Sequence, residues 1–138
     1  MRALSIRQPF AELILRGIKT AEIRSTATTI LGERFYIYAC KAKAKRLAIW
    51  SKDLQIATPP SWMLELAEQL KLIEPELLRG TDLPRGVIVG SAVIDDVIPP
   101  NPADGKAGRF RWQLADVRRI DNPFKPKGHP QPVWFEPF

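Results

Sequence analysis

The run at residues 86–98, GVIVGSAVIDDVI, constrains this chain more than any other stretch. It is crowded with β-branched residues and lies between breakers, the pattern of a strand. Gly90 falls midway along it, where a glycine marks a bend or bulge of the kind that turns a barrel corner. A long strand bent at its centre calls for a curled sheet.

Other segments fit around that strand. Residues 2–6 (RALSI) read as a short strand, and residues 34–40 alternate Phe35, Ile37 and Ala39 against Tyr36, Tyr38 and Cys40. FRWQLADVRRI at 110–120 alternates as another strand. Pro9 suits the first position of a helix carrying Phe10, Leu13 and Ile14 on one face, and Gly17 stands where a left-handed C-terminal cap belongs. In residues 41–55, Leu47, Trp50 and Leu54 form one stripe and lysines the rest, an amphipathic helix with a basic side. Ser61 caps a further helix buried through Met63, Leu66, Ala67 and Leu70; Pro75 ends or kinks it, and residues 76–79 add a turn. NPADGKAG at 101–108 is a loop by local rules, and five prolines in residues 122–138 bar a central strand but allow edge segments around VWF at 133–135. The sum is four or five short strands with three helices, an α+β chain built on a small, mostly antiparallel curled barrel with peripheral helices. At 138 residues it is expected to form one domain, 1–138.

One cysteine, Cys40, excludes an intrachain disulfide, and with a single histidine, His129, no zinc ligand set can be assembled. Neither a membrane-spanning apolar run nor a signal peptide is seen, so the expectation is a cytoplasmic protein with no cofactor and no resident metal. The formal charge of +6 is uneven: residues 1–58 hold 11 Lys/Arg against 4 Asp/Glu, residues 59–138 hold 10 against 11. A basic N-terminal half favours a polyanionic partner, since phosphate contacts drive nucleic-acid affinity.

The segment GIKTAEIR at 17–24 places Lys19, Glu22 and Arg24 just past a helix end, where periodicity is lost, and reads as a loop. Lysine supplies a point charge, arginine a five-donor fork, and glutamate can accept from a base or sugar or orient the arginine. The same three residues would also make an ordinary surface ion-pair cluster.

LSIRQPFAELILRGIKTAEIR resembles the opening of an ASCH domain, whose GxKxxExR signature is met by Gly17, Lys19, Glu22 and Arg24. FYIYACK, GVIVGSAVIDDV and FRWQLADVRRI are similar to the family's later strands. The resemblance implies a PUA-like pseudo-barrel that binds RNA or a nucleotide in a cleft beside the signature. It carries Lys19, Glu22 and Arg24 into that cleft, with Gln8 and Pro9 adjoining. Some relatives act as ribonucleases on single-stranded RNA, and Lys19 and Glu22 are the catalytic candidates in that case. Another subgroup hydrolyses acylated cytidine with a threonine where this chain has Glu22, and a carboxylate cannot perform that hydroxyl chemistry; Thr20 is a hydroxyl with no base assigned to it.

Beyond the signature, Lys41 and Lys43, with Lys45 and Arg46, could hold an RNA backbone or merely form a solvated helix face. Tyr36 or Tyr38 could stack a base or pack in the core. Trp112 or Trp134 could wall the cleft, although packing suits all four tryptophans, and His129 reads as a turn residue. The leading expectation is single-stranded RNA binding, with ribonuclease activity as an extension. Hydrolysis of a modified nucleoside or other amide, and a non-catalytic protein-interaction domain, are the alternatives. Asp95 and Asp96 with Glu22 are the only carboxylates that suggest a metal, and the acidic pair reads better as a strand-end turn.

Overall fold

The structure is a computed structural model and describes residues 1–41, 60–78 and 82–138. The strand β1 (Ala3–Ile6) leads to helix α1 (Phe10–Leu15), then β2 (Ala21–Arg24) and β3 (Arg34–Ala39). Helices α2 (Ser61–Lys71) and α3 (Glu74–Leu78) precede β4 (Val87–Ile98), 3-10 turns at Pro102–Ala107, β5 (Phe110–Phe124) and β6 (Trp134–Phe135). The basic helix expected within residues 41–55 lies outside the described residues from residue 42 onward.

These strands form one six-stranded sheet in the order β2-β5-β4-β3-β1-β6. Only β1 and β3 run parallel; every other pair is antiparallel. The sheet curls because β4 and β5, its long central pair, slip register at Ile88/Gly90, Ser91/Val93 and Ile94/Asp96. Gly90 sits at the first slip, and β3 slips against the same place, between Ile37 and Tyr38. A Cβ on Gly90 would stand 2.5 Å from both the Arg118 carbonyl oxygen and Leu15 Cδ2, so only glycine lets β5 and α1 close on the bend. The result is a PUA-like pseudo-barrel with peripheral helices.

Side-chain alternation on β3 becomes a two-sided core. Phe35, Ile37 and Ala39 join Leu4, Ile6, Ile94 and Trp112 on one face, with Ala11 and Ile14 of α1. Tyr38 joins Ala3, Ile88 and Phe135 on the other, with Tyr36 and Cys40 packed against them. β1 is therefore buried at all four positions, as a strand covered on both faces must be.

Three local expectations change. Ser61 is the first residue of α2 and not its cap: its N–H and hydroxyl donate to the Asp104 carboxylate at 2.9 and 2.6 Å, so the cap arrives from the 3-10 turns. The presumed loop at 101–108 is thus partly ordered, its first turn capped by the Asn101 side chain. β5 runs on to Phe124 through Pro123, which is tolerated because β2 covers β5 only at residues 110–113 and leaves that edge open beyond them. β6, in the proline-rich tail, is the edge strand on β1.

Candidate functional site

The site begins where α1 stops. Gly17, at φ +76°, takes the left-handed position after the helix; its N–H donates to Ile14 O and that of Ile18 to Leu13 O, both at 3.0 Å. This is the paired Schellman arrangement, with Ile18 packing on the Leu13 cluster as its apolar contact. The Lys19 N–H also donates to Leu13 O at 3.1 Å, and the chain enters with its lysine turned inward: Lys19 is 3% exposed.

The second half of the signature is a strand and not a loop. β2 pairs with β5 in the register Glu22↔Trp112 and Arg24↔Phe110. Polar residues broke the sequence pattern because Glu22 and Arg24, two apart, occupy one face of a strand and salt-bridge there. Arg24 Nη2 donates to Glu22 Oε2 at 2.8 Å, and Lys19 Nζ donates to Glu22 Oε1 at 3.2 Å and to Ala21 O. Glu22 Oε1 also accepts from the Ile23 N–H at 3.1 Å, so both carboxylate oxygens are occupied. Burial pushes the Lys19 ammonium down, against the pull of Glu22. Burial raises the Glu22 carboxyl too, but Lys19 and Arg24 outweigh it and hold the group below the usual carboxylate range.

Arg24 is fixed from three sides. Besides Glu22, its Nη2 donates to the Ser5 carbonyl at 2.8 Å, and the guanidinium carbon lies 5.8 Å from the centroid of Trp112. Nε and Nη1 have no hydrogen-bond partner among the described residues, leaving donors in a held, planar fork.

This fork stands on the wall of a cleft of about 680 Å³. Glu22, Ile23 and Arg24 of β2 form part of the lining; Ser5 and Ile6 of β1, with Arg7 and Phe10, form another; Tyr38, Cys40 and Lys41 a third; and the tail closes it with Pro130, Gln131 and Pro132. Burial pushes the Tyr38 phenol up, and the Cys40 thiol adds to that.

Of the residues singled out in the sequence, Glu22, Arg24, Tyr38 and Lys41 meet at this cleft. Lys19 is packed behind Glu22 and is not part of the lining. Gln8 is buried beside α1, its Oε1 accepting the Glu12 N–H at 2.9 Å and its Nε2 donating to Pro84 O at 3.0 Å. Pro9 precedes α1 as its N-cap residue and does not line the cleft. Tyr36 packs edge-on against Phe124 and Phe138, away from the lining. Lys43 lies outside the described residues. Trp112 and Trp134 stack at 6.0 Å as packing partners, and Trp112 Nε1 donates to Thr26 O at 3.0 Å.

Arg7, Phe10, Cys40 and the tail residues were missed. Arg7 follows Ser5 at strand spacing, a signal that was available; the tail carried none, because its place depends on contacts more than a hundred residues away, such as the Ser5 hydroxyl donating to Gln131 O at 2.5 Å. Among the described residues no group of three or more His, Cys, Asp or Glu side chains is placed to hold a metal. Asp95 and Asp96 are exposed on β4 and outside the cleft lining. No described helix is long and apolar enough to cross a membrane.

Comparison with known proteins agrees with this architecture. No curated protein matches the chain. Among solved structures, the crystal structure of ASCH from Zymomonas mobilis is similar at 15% identity and a TM-score of 0.50, covering 90% of this chain and 72% of that one. The family profile described as ASCH domain matches residues 4–124, and with the signature residues and the pseudo-barrel in place, the chain belongs to the ASCH domain family.

Proposed function

We propose that this ASCH domain binds single-stranded RNA, seating a nucleotide in the cleft beside β2. The observation that carries the reading is Arg24, which lines the cleft with Nε and Nη1 unengaged by the described residues while Nη2 is clamped by Glu22 and Ser5. A held guanidinium suits a phosphate or a base edge, because its geometry is set before the ligand arrives. Lys41 and Arg7 on the same lining add charge that tracks a phosphate backbone. Phe10, half-buried on the lining, supplies aromatic surface.

Glu22 acts here as the orienter of Arg24. Both its oxygens are occupied by ion pairs and a backbone N–H, which is the wrong state for a general base. Lys19 is the buried counter-ion that keeps Glu22 charged. The reading therefore favours binding over ribonuclease chemistry, and Thr20, exposed and outside the lining, gives amide hydrolysis no nucleophile at the cleft.

Fluorescence anisotropy with a labelled single-stranded RNA, across a salt series, tests this. Affinity should fall with salt; Lys41→Ala should reduce the salt slope by about 1, and Arg24→Lys should weaken binding about tenfold. Unchanged affinity in both variants would remove RNA from this cleft.

A further inference from the structure

We infer that Gln131, in the tail beyond the family match, selects the base that the cleft accepts; this rests on the RNA-binding reading above. The matched family region ends at residue 124, yet residues 130–132 form a wall of the cleft. That wall is anchored by main chain. The Ser5 hydroxyl donates to Gln131 O at 2.5 Å, the Ser5 N–H to Val133 O at 2.9 Å, and β6 then pairs with β1 through Leu4↔Trp134 and Ala3↔Phe135.

The segment is stiff as well as anchored. Pro130 and Pro132 lock their own φ, and Pro132 restricts Gln131 to extended backbone. A side chain presented from such a segment loses little entropy when a ligand arrives. Gln131 is exposed, and its side-chain amide has no hydrogen-bond partner among the described residues.

Chemistry separates its role from that of its neighbours. Arg7 and Lys41 suit phosphate, which carries no sequence information, and Arg24, clamped through Nη2, offers donors but no acceptor. Gln131 is the only amide among the described lining residues, and an amide offers a donor and an acceptor side by side, the pair that matches one base edge and mismatches another. Single-stranded RNA exposes such edges because its bases are unstacked.

The test compares wild type, Gln131→Ala and Gln131→Glu against the four single-base oligoribonucleotides of equal length. The expected result is a wild-type preference among bases that narrows by about tenfold in Gln131→Ala and is reordered in Gln131→Glu, which loses the donor. Thermal unfolding and the salt slope of Gln131→Ala should match wild type, since the wall is held through the backbone. Wild-type binding that is sensitive to Arg24→Lys, together with base preferences untouched by both Gln131 variants, overturns this inference and leaves the RNA-binding reading standing. If wild type binds none of the four, both fall.

Discussion

Arg24 of β2 donates to the backbone carbonyl of Ser5 on β1 at 2.8 Å, although β5, β4 and β3 lie between those strands in the sheet. The bond crosses the open side of the curled sheet, so one guanidinium both draws the pseudo-barrel together and faces the cleft. Closure of the sheet and the wall of the cleft are joined in this side chain.

Arg24→Ala should therefore cost stability as well as affinity, about 1–2 kcal/mol from the lost charged hydrogen bonds. Arg24→Lys should restore part of the stability and little of the RNA affinity, since an ammonium cannot span Glu22, Ser5 and a ligand together. Denaturant unfolding beside anisotropy on the same samples separates the two effects; equal losses in both variants would contradict the dual role.

Lys19 and Glu22 are expected to behave as one unit. Lys19→Met leaves the buried Glu22 carboxylate with Arg24 alone and should destabilise by about 3 kcal/mol. Glu22→Gln should cost a comparable amount, and the double variant less than the sum, with a coupling of about 1–2 kcal/mol. Additive losses in a denaturant double-mutant cycle would show that the pair is not coupled.

Glu12 links α1 to β5 and, through Arg16, to α3: it accepts from Arg119 at 3.0 and 2.8 Å and from Arg16 Nε at 2.7 Å, while Arg16 also holds Glu76. Burial raises its carboxyl, but the two arginines prevail and lower it below the ordinary 4.5. A carboxyl lowered by folding stabilises fully above its unfolded value, and that contribution is lost as pH falls through the folded value. Glu12→Gln should thus cost about 2 kcal/mol at neutral pH, and the gap to wild type should close as urea midpoints are followed from neutral pH into acid. A gap that stays constant across that range would show that Glu12 is not the titrating group.

Gly90→Ala should destabilise by about 1–3 kcal/mol, because the new methyl group meets a backbone carbonyl that cannot turn aside. Gly17 differs: a Cβ there meets nothing within 4 Å, so Gly17→Ala carries only the left-handed backbone cost of about 1–2 kcal/mol, and Gly17→Asn should cost less. Calorimetric unfolding of the three variants checks the order; Gly17→Ala and Gly17→Asn with the same midpoint would remove the backbone explanation.

Much of this was legible beforehand. The bend at Gly90, the cap at Gly17 and the strand alternation from Phe35 to Ala39 depend on local geometry, which neighbouring residues encode, and the signature at 17–24 was legible through its resemblance to the ASCH family. The same local rules misread β2 as a loop, because a strand whose polar residues pair with one another has no apolar stripe to show. They assigned the cap of α2 to Ser61, since Asp104 is distant in sequence. The family resemblance set Gln8 beside the cleft, and the structure spends both ends of its amide on Glu12 and Pro84.

By itself, then, the sequence determined most of the strands and helices among the described residues and the bend at Gly90, because propensity, glycine stereochemistry and side-chain period act over a few residues, while the charged triad was marked by the family resemblance. Tertiary structure alone decided which members of that triad line the cleft, with Lys19 buried behind Glu22 and Arg24 on the wall. It also brought residues 130–132 to the cleft. Both outcomes depend on how the sheet closes, and that closure is set by contacts such as Arg24 to Ser5 and Ser5 to Gln131, between residues that share no local pattern.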